Sequence, residues 1–120
     1  MTQTPKTFDE IIKETAVPVV VIDHNGFFTL VNTSFEKEYG WSSKELIGQS
    51  ITMIIPPYLR DAHLVGISRF LITEQPTLME KPLPLSILYK DGTIREAEHY
   101  ITGKKQDGSW RFAASIKPLP

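Results

Sequence analysis

The stretch Val17-Pro-Val-Val-Val-Ile-Asp-His-Asn-Gly-Phe-Phe-Thr-Leu-Val31 contains two runs of β-branched and aromatic residues on either side of a polar segment. Branched and aromatic side chains favour strands, whereas Asp, Asn and Gly favour tight turns. The pattern predicts a β-hairpin with its turn at Asp23 to Gly26. We therefore expect an antiparallel sheet that begins with this hairpin.

Capping boxes, in which a Thr or Ser precedes Glu by three residues, occur on both sides of the hairpin. The box at Thr7 to Glu10 predicts a leading helix over Phe8 to Thr15. Two further boxes, Thr33 to Glu36 and Ser42 to Glu45, predict two short helices separated by Gly40-Trp41. These helices are expected to cross the sheet.

A longer helix, about Tyr58 to Thr73, is predicted after Pro56-Pro57, because proline is tolerated in the first turn of a helix. Its apolar residues recur at helical spacing and form one stripe: Leu59, Gly66, Ile67, Phe70 and Leu71. His63 falls on this stripe, one turn from Leu59 and from Ile67. We therefore expect His63 to face the core.

Three strands are predicted in the second half of the chain, at Leu83 to Tyr89, Ile94 to Thr102 and Trp110 to Ile116. Turn sequences at Asp91-Gly92 and Asp107-Gly108 join them into an antiparallel meander. Because proline cannot donate to a sheet ladder, the first of these strands, which contains Pro84 next to Pro82, should lie at an edge.

Alternation along the middle strand places Ala97, His99 and Ile101 on one face, and Glu96, Glu98 and Tyr100 on the other. The face that carries the two glutamates should be exposed to solvent. His99 is therefore expected to point inward, as a structural histidine satisfied near the end of a strand or as a second imidazole in a pocket.

Composition excludes several classes of function. The net charge of −1 and the lack of a basic cluster argue against nucleic-acid binding, and the absence of cysteine excludes disulfides and thiolate chemistry. The apolar run Ala16 to Ile22 is too short to span a bilayer, and no signal peptide is evident, so we expect a cytoplasmic protein with no membrane contact. No phosphate loop or paired carboxylates indicate an active site, so we expect no enzymatic activity.

The order of elements, with the motifs Val20-Val-Ile-Asp-His-Asn-Gly26, Val31-Asn32, Glu38-Tyr-Gly-Trp-Ser-Ser-Lys-Glu-Leu-Ile-Gly48 and Lys90-Asp-Gly-Thr93, resembles the PAS family. The resemblance implies an α+β PAS fold, in which a five-stranded antiparallel sheet is covered on one face by short helices and one longer helix. It also implies a flanking helix at 1–16, the PAS domain at 17–117 and a boundary at 118–120.

A second resemblance concerns the stretch Ile54-Ile-Pro-Pro-Tyr-Leu-Arg-Asp-Ala-His63, which looks like the same helix in bacterial haem-PAS oxygen sensors. It implies haem b as cofactor, with His63 as the iron ligand. An ungapped alignment puts Leu83 and Lys81 where such sensors have an oxygen-bonding arginine or a methionine ligand, and His99 where they are aliphatic. The alternative for His63 is a structural histidine bonded to a nearby carbonyl or carboxylate.

The pocket is expected between the longer helix and the sheet, lined by Leu59, His63, Ile67, Phe70, Leu78, Leu83, Leu85, His99 and Ile101. In a haem-bound form, Leu83 and Ile101 would meet the distal side. Trp41 and Trp110 could stack on a flavin, but single tryptophans more often anchor packing through one N–H partner.

The resemblance implies a sensory domain of a bacterial signal-transduction protein, such as a two-component system. Its output domain, attached or separate, would be a kinase, a cyclic-dinucleotide enzyme, a chemoreceptor or a transcription factor. The alternative is a cofactor-free PAS module that acts by dimerisation. In that case the leading helix, through Phe8, Ile11 and Ile12, and the open face of the sheet would form a homodimer.

Overall fold

The computed structural model of the chain describes residues 6–74 and 79–120. The α+β prediction is confirmed, since five strands and several helices form one domain. In chain order the elements are α1 (Phe8–Ile12), β1 (Val19–Asp23), β2 (Phe28–Val31), α2 (Thr33–Tyr39), α3 (Ser43–Leu46), two 3-10 helices (Ile51–Ile54 and Pro57–Leu59), α4 (Arg60–Thr73), β3 (Leu83–Leu88), β4 (Ile94–Gln106) and β5 (Ser109–Pro118).

The sheet has the strand order β2-β1-β5-β4-β3, and every neighbouring pair is antiparallel. The strand that contains Pro84 lies at an edge, as predicted. Asp107 and Gly108 both have positive φ, 52° and 80°, which gives the turn the twist that a two-residue hairpin requires. β5 extends to Pro118, one residue into the predicted boundary.

Two of the three predicted capping boxes are confirmed, at Thr7 with Glu10 and at Ser42 with Glu45. The box at Thr33 is wrong, because Asn32 caps α2 instead. The Asn32 Oδ1 accepts hydrogen bonds of 2.9 Å from the Phe35 N–H and from the Val19 N–H. Its amide therefore joins the helix to the start of β1, which a threonine hydroxyl at the next position would not do.

The leading helix is shorter than predicted and ends at Ile12. The carbonyls of Glu14 and Val17 accept hydrogen bonds of 3.2 and 2.8 Å from the Asn32 Nδ2, and these bonds draw the chain away from the helix path toward β1. The longer helix is close to its predicted bounds, with a 3-10 turn before Arg60.

Short helices and α4 cover one face of the sheet, as predicted, and a second apolar cluster under α1 lies on the opposite face, which was expected to be open. The inner face packs against α2, the 3-10 helices and α4. The outer cluster consists of Phe8, Ile11, Val19, Val21, Tyr100 and Ala113. Tyr100, predicted on a wet face, is only 6% exposed because α1 covers it.

This arrangement affects the predicted dimer interface. Phe8 and Ile11 are buried within the chain, at 5% and 0% exposure, and so are not available to a partner. Ile12 is half-buried against the same cluster. A homodimer stays a prediction, but these two residues do not supply its contact.

Among the described residues, no helix combines the length and apolar character needed to cross a membrane.

Candidate functional site

Two adjoining cavities lie between α4 and the inner face of the sheet, with volumes of about 260 and 310 Å³. Both are walled mainly by apolar side chains, and they share the residues Ile22, Ala62, His63, Leu85, Ile101 and Phe112. Small-ligand pockets usually measure about 300 to 1,000 Å³. The two spaces together therefore have the size and character of a ligand site.

Arg60 positions the start of α4. Its Nε donates hydrogen bonds of 3.1 Å to the carbonyl oxygens of Thr52 and Ile55. These bonds tie the first turn of the helix to the preceding 3-10 segment. His63 lies one helical turn after Leu59 and Arg60 and therefore on the same side of α4. It faces the sheet, as its place on the apolar stripe predicts.

The Nε2 atom of His63 is buried, and it has no hydrogen-bond partner among the residues that the structure describes. Burial lowers the pKa of His63, and the nearby His99 lowers it further, so the ring is neutral at pH 7. A buried polar atom without a partner costs about 1–3 kcal/mol. Such an atom in an apolar cavity calls for a further partner, which a water molecule, an ion or a ligand would supply.

His99 lines the first cavity from β4, which confirms its predicted inward direction. Its Nδ1 lies 2.9 Å from the carbonyl oxygen of Ala97. Since a carbonyl only accepts, Nδ1 carries the proton and Nε2 bears the lone pair in the neutral ring. Burial lowers the pKa of His99, while the Ala97 hydrogen bond partly opposes that effect.

Three aromatic rings form a wall at the second cavity. The Phe70 ring centroid lies 4.9 Å from that of Trp110 and 5.3 Å from that of Phe112. Gly103 makes room for this wall, since a Cβ there would lie 3.2 Å from the Trp110 ring. Gly103 and Phe112 were not predicted as site residues, although alternation along β4 and β5 would place both on the inner face.

Most of the predicted lining residues come together. Leu59, His63, Leu85, His99 and Ile101 line the first cavity, and Ile67 and Phe70 line the second. Further walls that the prediction missed come from β1, β5 and the 3-10 segment: Val20, Ile22, Ile51, Ile54, Ile55, Ala114 and Ile116.

Leu83 is not among the described residues that line either cavity, although it pairs with His99 across the edge of the sheet. The distal role of Leu83 stays a prediction. Leu78 lies outside the described residues.

The two tryptophans are packing residues. The Trp41 Nε1 donates to the Leu88 carbonyl at 3.0 Å, and the Trp110 Nε1 donates to the Glu74 carboxylate at 3.3 Å. Each indole thus has the single partner that the sequence prediction gave it. His24 and Lys81 are exposed.

The described residues supply few donor groups for a metal cofactor. Within residues 6–74 and 79–120, no three His, Cys, Asp or Glu side chains form a group that could hold a metal ion. Two imidazoles are too few for an ion held by protein alone. They do suit haem, because its macrocycle supplies four iron ligands and the protein adds one or two axial ones. The buried Nε2 of His63, which has no partner in the described part of the chain, would be an appropriate donor to such an iron.

Comparison with known proteins gives consistent matches. The family model described as the PAS fold matches residues 6–100. The sensor protein FixL of Bradyrhizobium diazoefficiens is 32% identical over 90 residues, which cover 75% of this chain but only 18% of that protein. The chain therefore corresponds to a small part of the curated relative.

Solved structures give the same fold. The PAS domain of a Desulfitobacterium hafniense protein superposes with a TM-score of 0.72 at 22% identity, covering 90% of this chain and 97% of that one. The PAS domain of the Cronobacter turicensis quorum-sensing receptor RpfR, solved in complex with C12:0, gives 0.70 at 17% identity, with coverage of 92% and 100%. With the family match over residues 6–100, these findings establish that the chain belongs to the PAS family.

Proposed function

We propose that this chain is the sensory domain of a signal-transduction protein and that it binds haem b between α4 and the sheet, with His63 as an axial iron ligand. The observation that carries the proposal is the buried Nε2 of His63, which lacks a partner among the described residues. The resemblance of the Ile54 to His63 stretch to haem-PAS oxygen sensors supports the same assignment.

The surroundings suit this cofactor. Apolar walls exclude water from a macrocycle, and a macrocycle would fill both adjoining cavities because either one alone is small for it. Arg69 lines the second cavity and is exposed, so its guanidinium can pair with the carboxylates of haem at the rim. Bound haem iron would supply a centre that takes a diatomic gas or changes its oxidation state.

A conformational change in the cavity can be transmitted through β4. His99 faces the cavity, while Tyr100 faces the opposite side and packs against α1. The Tyr100 hydroxyl accepts a hydrogen bond of 3.1 Å from the Lys6 backbone N–H. A ligand that shifts His99 would therefore shift the segment in front of α1. Ligand binding would thus shift the domain from one conformation to another, and an attached or separate output domain would respond to that shift.

The test is the absorption spectrum of the purified protein, alone and after titration with haemin. We expect the sharp Soret band of histidine-ligated haem, which His63→Ala shifts and weakens and which the exposed-histidine control His24→Ala retains. A titration that gives only the spectrum of free haemin contradicts the haem proposal and leaves a cofactor-free PAS module. Light scattering then tests whether that module dimerises, and a monomer at high concentration would count against it.

A further inference from the structure

Two histidines approach the same cavity from different layers of the domain. His63 projects from α4, and His99 projects from β4 in the sheet beneath it. A flat cofactor held between the helix and the sheet would therefore have one imidazole on each side.

The hydrogen bond of His99 prepares it as a metal ligand. Its Nδ1–H is held by the Ala97 carbonyl at 2.9 Å, so Nε2 is the ring atom left to accept a hydrogen bond or bind a metal. Histidines that bind metals commonly donate their other N–H to a backbone carbonyl, which fixes the tautomer and the ring orientation.

From these observations we infer that the Nε2 of His99 is the second axial ligand of the haem that His63 holds. This inference rests on the proposed function and deepens it. With haem bound, an external ligand would bind only if His99 left the iron, so the site would respond to molecules or redox states that can displace an imidazole.

Displacement of His99 is coupled to the sheet. β4 is an internal strand, and His99 lies between Leu83 on β3 and Ile116 on β5. Movement of the ring away from the cavity therefore requires loss of the Ala97 hydrogen bond or a shift of β4. The adjacent Tyr100 lies under α1, so a shift of β4 would also move the contacts on the other face of the sheet.

The experiment uses haemin as the probe, with absorption and electron paramagnetic resonance spectra of the wild type, His99→Leu and His99→Gln. His24→Leu is the matched control, because His24 is exposed in the hairpin turn. We expect low-spin ferric haem in the wild type and control, and high-spin haem in both His99 variants. External imidazole should bind the variants about tenfold or more tightly, because no internal ligand competes.

The possible failures are distinct. If the wild type and both His99 variants bind haemin with the same spectrum and the same imidazole affinity, the inference about His99 is wrong while haem binding through His63 stands. If the wild type does not bind haemin, the proposed function is wrong and this inference fails with it. Circular dichroism of each variant, together with the use of two substitutions, separates loss of a ligand from loss of the fold.

Discussion

The Tyr39 hydroxyl donates a hydrogen bond of 2.9 Å to the backbone carbonyl of Ile116, and both residues are 1% exposed. This bond joins α2 to β5 on the inner side of the sheet. Burial raises the pKa of Tyr39 far above its ordinary value, so the phenol remains a protonated donor at any physiological pH. Ile116 also lines the first cavity, so the bond supports one of its walls.

Tyr39→Phe should lower the free energy of unfolding by about 1–3 kcal/mol, because it leaves the buried Ile116 carbonyl without this donor. Urea unfolding measures the change. Tyr58→Phe is the matched control, since Tyr58 is 71% exposed and the same change should alter stability by less than about 0.5 kcal/mol. Equal effects of the two substitutions would contradict the structural role of the Tyr39 hydrogen bond.

Asn32→Asp should destabilise the domain by about 2 kcal/mol or more. The change keeps an N-cap acceptor for α2, but it removes the amide N–H groups that bond the Glu14 and Val17 carbonyls. Thermal or urea unfolding reports the loss. Asn25→Asp in the exposed hairpin turn introduces the same charge and should have little effect. If the two variants are equally stable, the Asn32 amide does not hold the connection to β1.

Docking of α1 should depend on apolar burial rather than on its ion pair. Phe8→Ala should cost about 3 kcal/mol or more, because the ring is 5% exposed in the outer cluster. Lys104→Ala breaks the 3.0 Å pair with Asp9, but both side chains are largely solvated, so less than about 1 kcal/mol should be lost. If urea unfolding shows that Lys104→Ala lowers the free energy of unfolding more than Phe8→Ala does, the ion pair and not apolar burial holds α1 in place.

Stability of the haem-free protein should fall as the pH drops below about 6.5, the ordinary histidine pKa. Burial lowers the pKa of His63 and of His99 in the folded state, so the unfolded chain binds protons that the folded cavity resists. Their contribution is fully present above pH 6.5 and is lost as the pH falls toward the folded-state values. Urea unfolding between pH 7.5 and 5.5 measures how the free energy of unfolding changes with pH. This change should be smaller for the double variant His63→Leu/His99→Leu than for the wild type. An equal change in the two proteins would contradict buried, neutral histidines.

Periodicity predicted the elements and the direction of both histidines. The helical stripe through Leu59 and Ile67 placed His63 on the inner face, and alternation along β4 placed His99 there. These features depend only on local geometry, which residue spacing encodes directly. The connection through Asn32 was not predicted, because its partners lie on three separate segments of the chain.

The covered outer face could also have been read from the sequence. Val19 to Ile22 is a continuous apolar run rather than an alternating one, and such a run is typical of a strand buried on both faces. Tyr100, which shares a face of β4 with Glu96 and Glu98, was predicted to be solvated, but α1 folds back over it.

The most direct test of the central claim is rescue of His63→Gly by external imidazole during haemin titration. We predict that this variant loses the axial-ligand spectrum of the wild type and that imidazole, which fits the space left by the side chain, restores it. The His24→Gly control should bind haemin as the wild type does, with no response to imidazole beyond that of the wild type. A His63→Gly protein with the wild-type spectrum in the absence of imidazole would contradict the assignment of His63 as the iron ligand.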